Sequence, residues 1–263
     1  DGINTLNAVR KLRDLKLENK PFMMSIGFSK PHLPFVAPKK YWDLYDQTQI
    51  NLPKLSQMPK NANDFTLRKS GELTNYYGIH NKYDLIEDSL TLSLRHAYYA
   101  CISYVDAQIG LLLDELERLD LREETIVILW GDHGYKVGEY RAWCKWSNMH
   151  IDTHIPLIIS APGYIKGKNS QAMVEALDIY PTLVELSGFS KPDHIEGKSL
   201  VSFLKNPHKK GNRFIRTLWP HNRQDYVITI IGFSIKNQRF NYVKWFILNT
   251  GELLATEFFV HIK

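Results

Sequence analysis

The pattern of apolar and polar residues predicts helices alternating with short strands in the first part of the chain. Apolar side chains recur with a period of about 3.6 residues in two segments, Gly2–Asn19 and Asp88–Leu119, and a third helix is expected between Pro181 and Gly188. Continuous apolar runs too short for helices predict strands at Phe22–Phe28, Thr125–Trp130 and Ile155–Ile159. The β-branched run at Thr125–Trp130 is typical of a strand buried on both faces.

The pattern changes after residue 190. A short helix at Gly197–Leu204 is followed by three segments of period-two alternation, Phe214–Trp219, Tyr226–Phe233 and Phe240–Phe246. Helices that alternate with buried strands favour an α/β fold with a mostly parallel sheet. We therefore predict an α/β domain over residues 1–190 and a small α+β subdomain with an antiparallel sheet over residues 191–263.

The segment Pro38–Glu87 has no regular period, although aromatic residues, prolines and polar residues alternate along it. A loop of this length within a compact domain is unusual unless it is functional or partly disordered. Two interpretations remain open, an insertion that forms one wall of a substrate pocket and a variable surface excursion.

Composition narrows the class of protein. The 263 residues carry a net charge of only +5, spread along the chain, which gives no argument for nucleic acid but permits a basic pocket for an anionic substrate. No run approaches the roughly 20 apolar residues of a membrane span, and no signal peptide is visible. The two cysteines, Cys101 and Cys144, have no metal-type spacing.

The candidate chemistry lies directly after the strand Thr125–Trp130. There Asp132 and His133 stand between Gly131 and Gly134. Ligands bind beyond the carboxyl ends of strands in open α/β sheets, and a tight glycine turn can bring both side chains to one divalent cation. An aspartate that only caps the following segment is the alternative for this short motif.

Ten motifs in order along the chain support the first interpretation. They are Lys30–Phe35, Tyr104–Asp106, Gly131–Gly134, Val137–Glu139, Trp143–Lys145, Ser147–Asn148, Thr153–Ile158, Asp178–Leu183, Gly232–Ile235 and Thr250–Leu253. This series resembles the sulfatase family of the alkaline-phosphatase-like superfamily, and within it the iduronate-2-sulfatase branch and its bacterial relatives. The resemblance implies hydrolysis of sulfuric esters on sulfated sugars or glycosaminoglycan fragments, outside the cytoplasm (periplasmic, secreted or lysosomal).

The resemblance also implies roles for individual residues. Asp132 and His133 match the second pair of ligands for one calcium ion, Ca²⁺, and Lys145 matches a lysine that contacts the sulfate. His32 matches a histidine near the leaving oxygen and is a candidate proton donor. Lys30 and Tyr135 are expected to contact substrate. A metal ion, a lysine and a histidine would together offset charge on the transferred sulfuryl group.

The sequence departs from the family at the nucleophile. The family uses a cysteine, converted to formylglycine, in a Cys-x-Pro-Ser-Arg type motif, and neither Cys101 nor Cys144 lies in such a motif. Adjacent aspartates that form the first metal-binding pair are also not found. We therefore expect this chain to be a C-terminal portion, inactive alone, with the nucleophile and remaining calcium ligands on an N-terminal segment or partner chain.

Two further hypotheses stay open at this stage. Another hydrolase of the same superfamily, such as a phosphodiesterase or phosphonate hydrolase, would share the metal pair Asp132 and His133. The chain would alternatively be a degenerate product that binds a sulfated glycan without catalysis. Motifs at Lys30–Pro34 and Trp143–Lys145 favour the sulfatase.

Overall fold

The structure is a computed structural model and describes residues 1–67, 72–76, 79, 86–211, 213–224 and 227–261. The chain forms two compact units. Unit 1 comprises residues 1–57, 69–125 and 136–144, and unit 2 comprises residues 58–68, 126–135 and 145–263.

Helices and strands follow one another along both units. The helices are α1 (Gly2–Glu18), α2 (Lys39–Trp42), α3 (Asp88–Arg118), α4 (His150–Thr153), α5 (Ile179–Leu186) and α6 (Val201–Lys205). The strands are β1 (Val127–Trp130), β2 (Lys136–Val137), β3 (Trp143–Cys144), β4 (Leu157–Ser160), β5 (Ile215–Gln224), β6 (Val227–Lys236), β7 (Phe240–Ile247) and β8 (Leu253–Val260). No helix among the described residues has both the length and the apolar character needed to cross a membrane.

Unit 1 is built on the packing of α1 against α3. The apolar stripe of α1 buries Leu12, and α1 ends at Glu18 because the next residue, Asn19, has a left-handed backbone conformation that terminates the helix. Glu115 on α3 accepts hydrogen bonds from Arg13 at 2.7 Å and from Arg118 at 2.9 Å. These two guanidinium groups hold the pKa of the Glu115 carboxyl down at about 2, so at neutral pH the ion pair between Arg13 and Glu115 joins α1 to α3.

The strands β2 and β3 form a small hairpin in unit 1 that packs on α3. Arg95 of α3 donates to the Val137 carbonyl at 2.9 Å and to Glu139 at 3.2 Å, and Glu139 in turn accepts from the Val137 amide at 2.7 Å. Gly138 between them has a φ of 105°, which side chains other than glycine rarely adopt. The hairpin is therefore fixed to α3 by charge-assisted hydrogen bonds.

In unit 2, β1 and β4 pair antiparallel, with Val127 opposite Ser160 and Trp130 opposite Leu157. The prediction that β1 is buried on both faces is wrong, since Trp130 is 47% exposed. Each strand of this pair has one hydrogen-bonded neighbour among the described residues, and most of its side chains are half-buried. Their pairing brings the ends of two separate apolar runs together at Gly131.

The C-terminal part of unit 2 is a four-stranded antiparallel sheet in the order β5-β6-β7-β8. Period-two alternation holds, because Val243 and Trp245 are buried while Lys244 between them is exposed. Glu257 on β8 accepts from the Trp245 indole at 2.7 Å and from the Asn63 amide at 2.9 Å. Residues 58–67 of the irregular segment thus belong to the packing of this sheet.

The fold class predicted from the sequence is confirmed, with helices, strands and a C-terminal antiparallel sheet, although the strands described within residues 1–190, β1 with β4 and β2 with β3, pair antiparallel. Phe22–Phe28 is not a strand, because it pairs with no described strand. Three strands of this C-terminal sheet were predicted from the sequence, and β8 was missed. The three consecutive apolar residues at 253–255 obscure the alternation of apolar and polar positions there. The domain boundary near residue 190 stays a prediction.

Candidate active site

The turn after β1 carries the predicted metal pair on the surface of unit 2. The Asp132 side chain is 86% exposed and the His133 side chain 31% exposed. The Nδ1 atom of His133 lies 2.8 Å from the Gly134 carbonyl oxygen, and the Oδ2 atom of Asp132 lies 3.6 Å from His133 Nε2. The turn therefore brings a carboxylate oxygen of Asp132 close to a ring nitrogen of His133.

This geometry fits a divalent cation. In the neutral ring Nδ1 donates its proton to the Gly134 carbonyl, which leaves the Nε2 lone pair facing Asp132. The 3.6 Å separation of Nε2 and Oδ2 is too long for a hydrogen bond. It matches two ligands of one cation, since calcium–oxygen distances are about 2.3–2.6 Å. Asp132 and His133 would hold such an ion and supply two of its ligands.

Backbone contacts with the α4 segment hold this turn in place. The amide of Gly134 donates to the Asp152 carbonyl at 2.8 Å, and the amide of Gly131 donates to the Pro156 carbonyl at 3.1 Å. A Cβ atom at position 134 would lie only 2.0 Å from the Ile151 carbonyl oxygen. The glycine at 134 is therefore required by a close backbone approach, in addition to the tight turn that the sequence predicts.

Two further predicted site residues lie in unit 2. The Tyr135 ring stacks on His133 with ring centroids 6.4 Å apart. The Lys145 ammonium lies 5.6 Å from the centroid of the Trp146 ring, which itself stacks on Trp219 at 6.4 Å. Aromatic faces attract cations, so Lys145 is positioned by an aromatic pair as well as by its backbone.

Lys30 and His32 lie together in a loop of unit 1. The Asp1 carboxylate accepts from the backbone amides of Ser29 at 2.7 Å and Lys30 at 3.0 Å. Lys30 Nζ donates to the carbonyls of His32 at 3.2 Å and Pro34 at 2.7 Å. The loop is therefore fixed at both ends, by a carboxylate before it and by the lysine across it.

The His32 ring is oriented from two sides. Its Nδ1 atom lies 2.8 Å from the Leu33 carbonyl oxygen, and its Nε2 atom lies 3.4 Å from a carboxylate oxygen of Glu72. The second distance is that of an ion pair when the ring is protonated. Glu72 was missed by the sequence analysis because it is 40 residues away in an irregular segment with no motif.

Neither cysteine has the properties of a catalytic thiol. Both side chains are buried, and burial raises the pKa of the Cys101 thiol. An activated cysteine is exposed and has a lowered pKa. This agrees with the sequence, in which neither cysteine lies in a Cys-x-Pro-Ser-Arg type motif.

The described residues do not complete a metal site. No group of three or more histidine, cysteine, aspartate or glutamate side chains in the described part of the chain is arranged to hold a metal ion. Of the six predicted site residues, Asp132, His133 and Tyr135 come together in one turn, Lys145 lies elsewhere in unit 2, and Lys30 and His32 lie in unit 1. Their assignment to a single active site stays a prediction.

Comparison with known proteins identifies the family. The Sulfatase family signature matches residues 1–189, and that of the N-sulphoglucosamine sulphohydrolase C-terminal region matches residues 138–256. A sulfatase of Formosa agariphila is 34% identical over 81% of this chain, and human iduronate 2-sulfatase is 28% identical over 99% of it. The chain belongs to the sulfatase family.

A solved structure shares the fold of this chain. A protein in complex with its substrate D-glucosamine-2-N,6-O-disulfate aligns with 98% of this chain at a TM-score of 0.75 and 21% identity. The chain spans 41% and 58% of the lengths of the two curated relatives and 62% of that structure.

Proposed function

We propose that this chain supplies half of the active site of a sulfuric ester hydrolase that acts on sulfated sugars. The observation that carries the proposal is the pair of ligand atoms on Asp132 and His133, 3.6 Å apart on an exposed turn. A sulfate ester carries its charge on oxygens, and a divalent cation at this turn would stabilise the charge that develops there. Membership of the sulfatase family and similarity to human iduronate 2-sulfatase support this substrate class.

The remaining residues have roles consistent with this chemistry. Lys145 would place a positive charge beside the sulfate group, and His32 would donate a proton to the leaving sugar oxygen. Lys30 and Tyr135 would contact the substrate. We further propose that one Ca²⁺ occupies the turn, that other parts of the complete protein contribute its remaining ligands and the formylglycine nucleophile, and that the protein works outside the cytoplasm.

The test is hydrolysis of 4-methylumbelliferyl sulfate and of a 2-O-sulfated uronic acid disaccharide by the protein from its native source. Intact mass and formylglycine content are measured on the same sample. We expect turnover in a protein that contains formylglycine, and none from these 263 residues expressed alone. Preferential hydrolysis of a phosphate diester or phosphonate ester would instead assign the site to another hydrolase of the superfamily.

Variants separate the proposed roles. In the complete protein that contains formylglycine, Lys145→Ala and His32→Ala should each lower kcat by about 100-fold or more, the range typical of lost electrostatic and acid–base groups. Lys168→Ala changes an exposed lysine outside the candidate site and is the matched control. Equal activity of Lys145→Ala and Lys168→Ala would contradict the role of Lys145.

A further inference from the structure

Three histidines and a lysine gather at α4, outside the predicted metal pair. The His150 ring centroid lies 4.7 Å from that of His154 and 4.9 Å from that of His261. The buried Lys236 donates its ammonium to the hydroxyl of Thr153 on the same helix. Residues from α4, the end of β6 and the segment after β8 thus form one basic cluster.

The cluster has no matching negative charge among the residues that the structure describes. The acidic residue of α4, Asp152, directs one carboxylate oxygen to the Ser147 hydroxyl. Within the described ranges, no carboxylate lies at ion-pair distance from the Lys236 ammonium or from the three imidazole rings. In the same ranges, the ring nitrogens of the histidines make no hydrogen bond, so their donor positions are open to a ligand.

Burial and neighbouring basic groups disfavour positive charge on three members of the cluster, His150, Lys236 and His261. The pKa of His150 is lowered to about 4, mainly by partial burial. The neighbouring basic groups of His154, Lys236 and His261 contribute smaller decreases. Burial lowers the pKa of Lys236 to about 8, and burial together with Lys236 lowers the pKa of His261. An anion placed among these groups would reverse each effect, because an opposite charge favours the charged form of a base.

We propose that His150, His154, His261 and Lys236 bind a sulfate group. The exposed rings of His150 and His154 make the cluster accessible from solvent. Imidazolium and ammonium groups form short, strong hydrogen bonds to such oxyanions, and a tetrahedral anion can accept from several of them at once. The sulfate group would come from inorganic sulfate or from a sulfated sugar, and binding requires no catalytic turnover.

The proposal predicts binding that strengthens as pH falls. The groups that face one another are His150 from α4, His154 directly after α4, Lys236 from β6 and His261 from the C-terminal segment. Lys236 is mostly charged at neutral pH, and His150 and His261 acquire protons as pH falls below the usual range of histidine, because their pKa values are lowered. We therefore expect affinity for sulfate to rise at least tenfold between pH 8 and pH 5.5.

The experiment is a titration of the full chain with sodium sulfate at constant ionic strength, followed by NMR of the histidine ring protons. Sulfate should shift the ring-proton signals of His150, His154 and His261 at pH 5.5 and raise the lowered pKa values of His150 and His261. His150→Gln and Lys236→Met should each weaken sulfate binding about tenfold. His194→Gln, which changes an exposed histidine elsewhere in unit 2, should leave binding unchanged.

Two results would overturn the proposal. The first is that sodium chloride produces the same shifts as sulfate, and the second is that His194→Gln weakens binding as much as His150→Gln. His150 lies at the surface, so its variant keeps the test valid if Lys236→Met fails to fold. Parallel titrations with glucosamine 6-sulfate separate the two sources, since tighter binding of the sugar sulfate than of inorganic sulfate indicates a sugar-chain ligand.

Discussion

The backbone amide of Gly134 donates a hydrogen bond of 2.8 Å to the carbonyl oxygen of Asp152. This contact joins the turn that carries Asp132 and His133 to α4, so the predicted metal pair is positioned by a helix that follows it in the chain by about 20 residues. Side-chain geometry at the turn consequently depends on the backbone of residues 151–156.

Gly134→Ala should destabilise the protein and disturb the turn. The added Cβ would lie 2.0 Å from the Ile151 carbonyl oxygen, and a backbone atom cannot move away as a flexible side chain does. We expect a loss of about 2–3 kcal/mol in the free energy of unfolding, within the range for overpacked sites. Urea denaturation measures it.

Gly110→Ala is the matched control for this substitution. Gly110 lies in the middle of α3, and a Cβ there meets no atom within 4 Å. Alanine should stabilise the helix by about 0.5–1 kcal/mol relative to glycine. If Gly134→Ala were as stable as Gly110→Ala, the close approach to Ile151 would not exist in solution.

Calcium binding by these residues alone should be weak and should depend on Asp132. Two ligand atoms are too few for an ion that takes about six to eight oxygens, so we expect a Kd in the millimolar range or above. Asp132→Asn should weaken binding further, and Asp193→Asn, an exposed aspartate elsewhere in unit 2, should not. Isothermal titration with calcium chloride distinguishes these variants, and micromolar binding would contradict the prediction.

Glu257→Gln should weaken the anchoring of residues 58–67 to the C-terminal sheet. One Glu257 oxygen accepts from the Asn63 backbone amide at 2.9 Å and side-chain amide at 3.0 Å and from the Thr66 hydroxyl, and the other accepts from the Trp245 indole at 2.7 Å. A glutamine turns one acceptor into a donor, which leaves a buried donor unpaired at a cost of about 1–3 kcal/mol.

Thermal unfolding and proteolysis measure this effect. We expect a lower Tm and faster cleavage within residues 58–67 for Glu257→Gln. Glu252→Gln, in the exposed turn before β8, provides the control and should behave as the unmodified chain. Indistinguishable cleavage of the two variants would show that Glu257 does not hold the segment.

Stability should fall in mildly acidic solution because of His150. Its pKa in the folded protein is about 4, below its ordinary value of 6.5, so the unfolded chain binds the proton more tightly. The contribution of the neutral ring is present above pH 6.5 and is lost as pH falls towards 4. Urea midpoints at pH 7, 6 and 5, in buffer without sulfate, follow this loss.

Carboxylates titrate in the same pH range, so two variants are compared to isolate the contribution of His150 to the pH dependence of stability. His150→Gln should show a shallower decrease in urea midpoint than the unmodified chain, and His194→Gln should show the original decrease. Identical pH profiles for the two variants would contradict the lowered pKa of His150.

The sequence by itself determined the main helices, most of the strands and the family. The period of α1 and α3 is local, because each helix buries one stripe of its own side chains. The motif at 131–134 could be recognised for the same reason, since adjacent residues share one turn. The spacing of four residues between His150 and His154 is likewise a local signal of their contact, since side chains at this spacing are neighbours on a helix.

Only the tertiary structure decided which distant residues meet. Three contacts show this: β1 pairs antiparallel with β4, Glu72 lies beside His32, and the cluster at α4 brings His150 against His261. The residues in these contacts are separated by up to 111 positions in the sequence. Contacts of this kind depend on how packed elements bring the chain together, and no local period records them. The same holds for Gly134, whose lack of a side chain is explained only by the carbonyl oxygen of Ile151 packed against it.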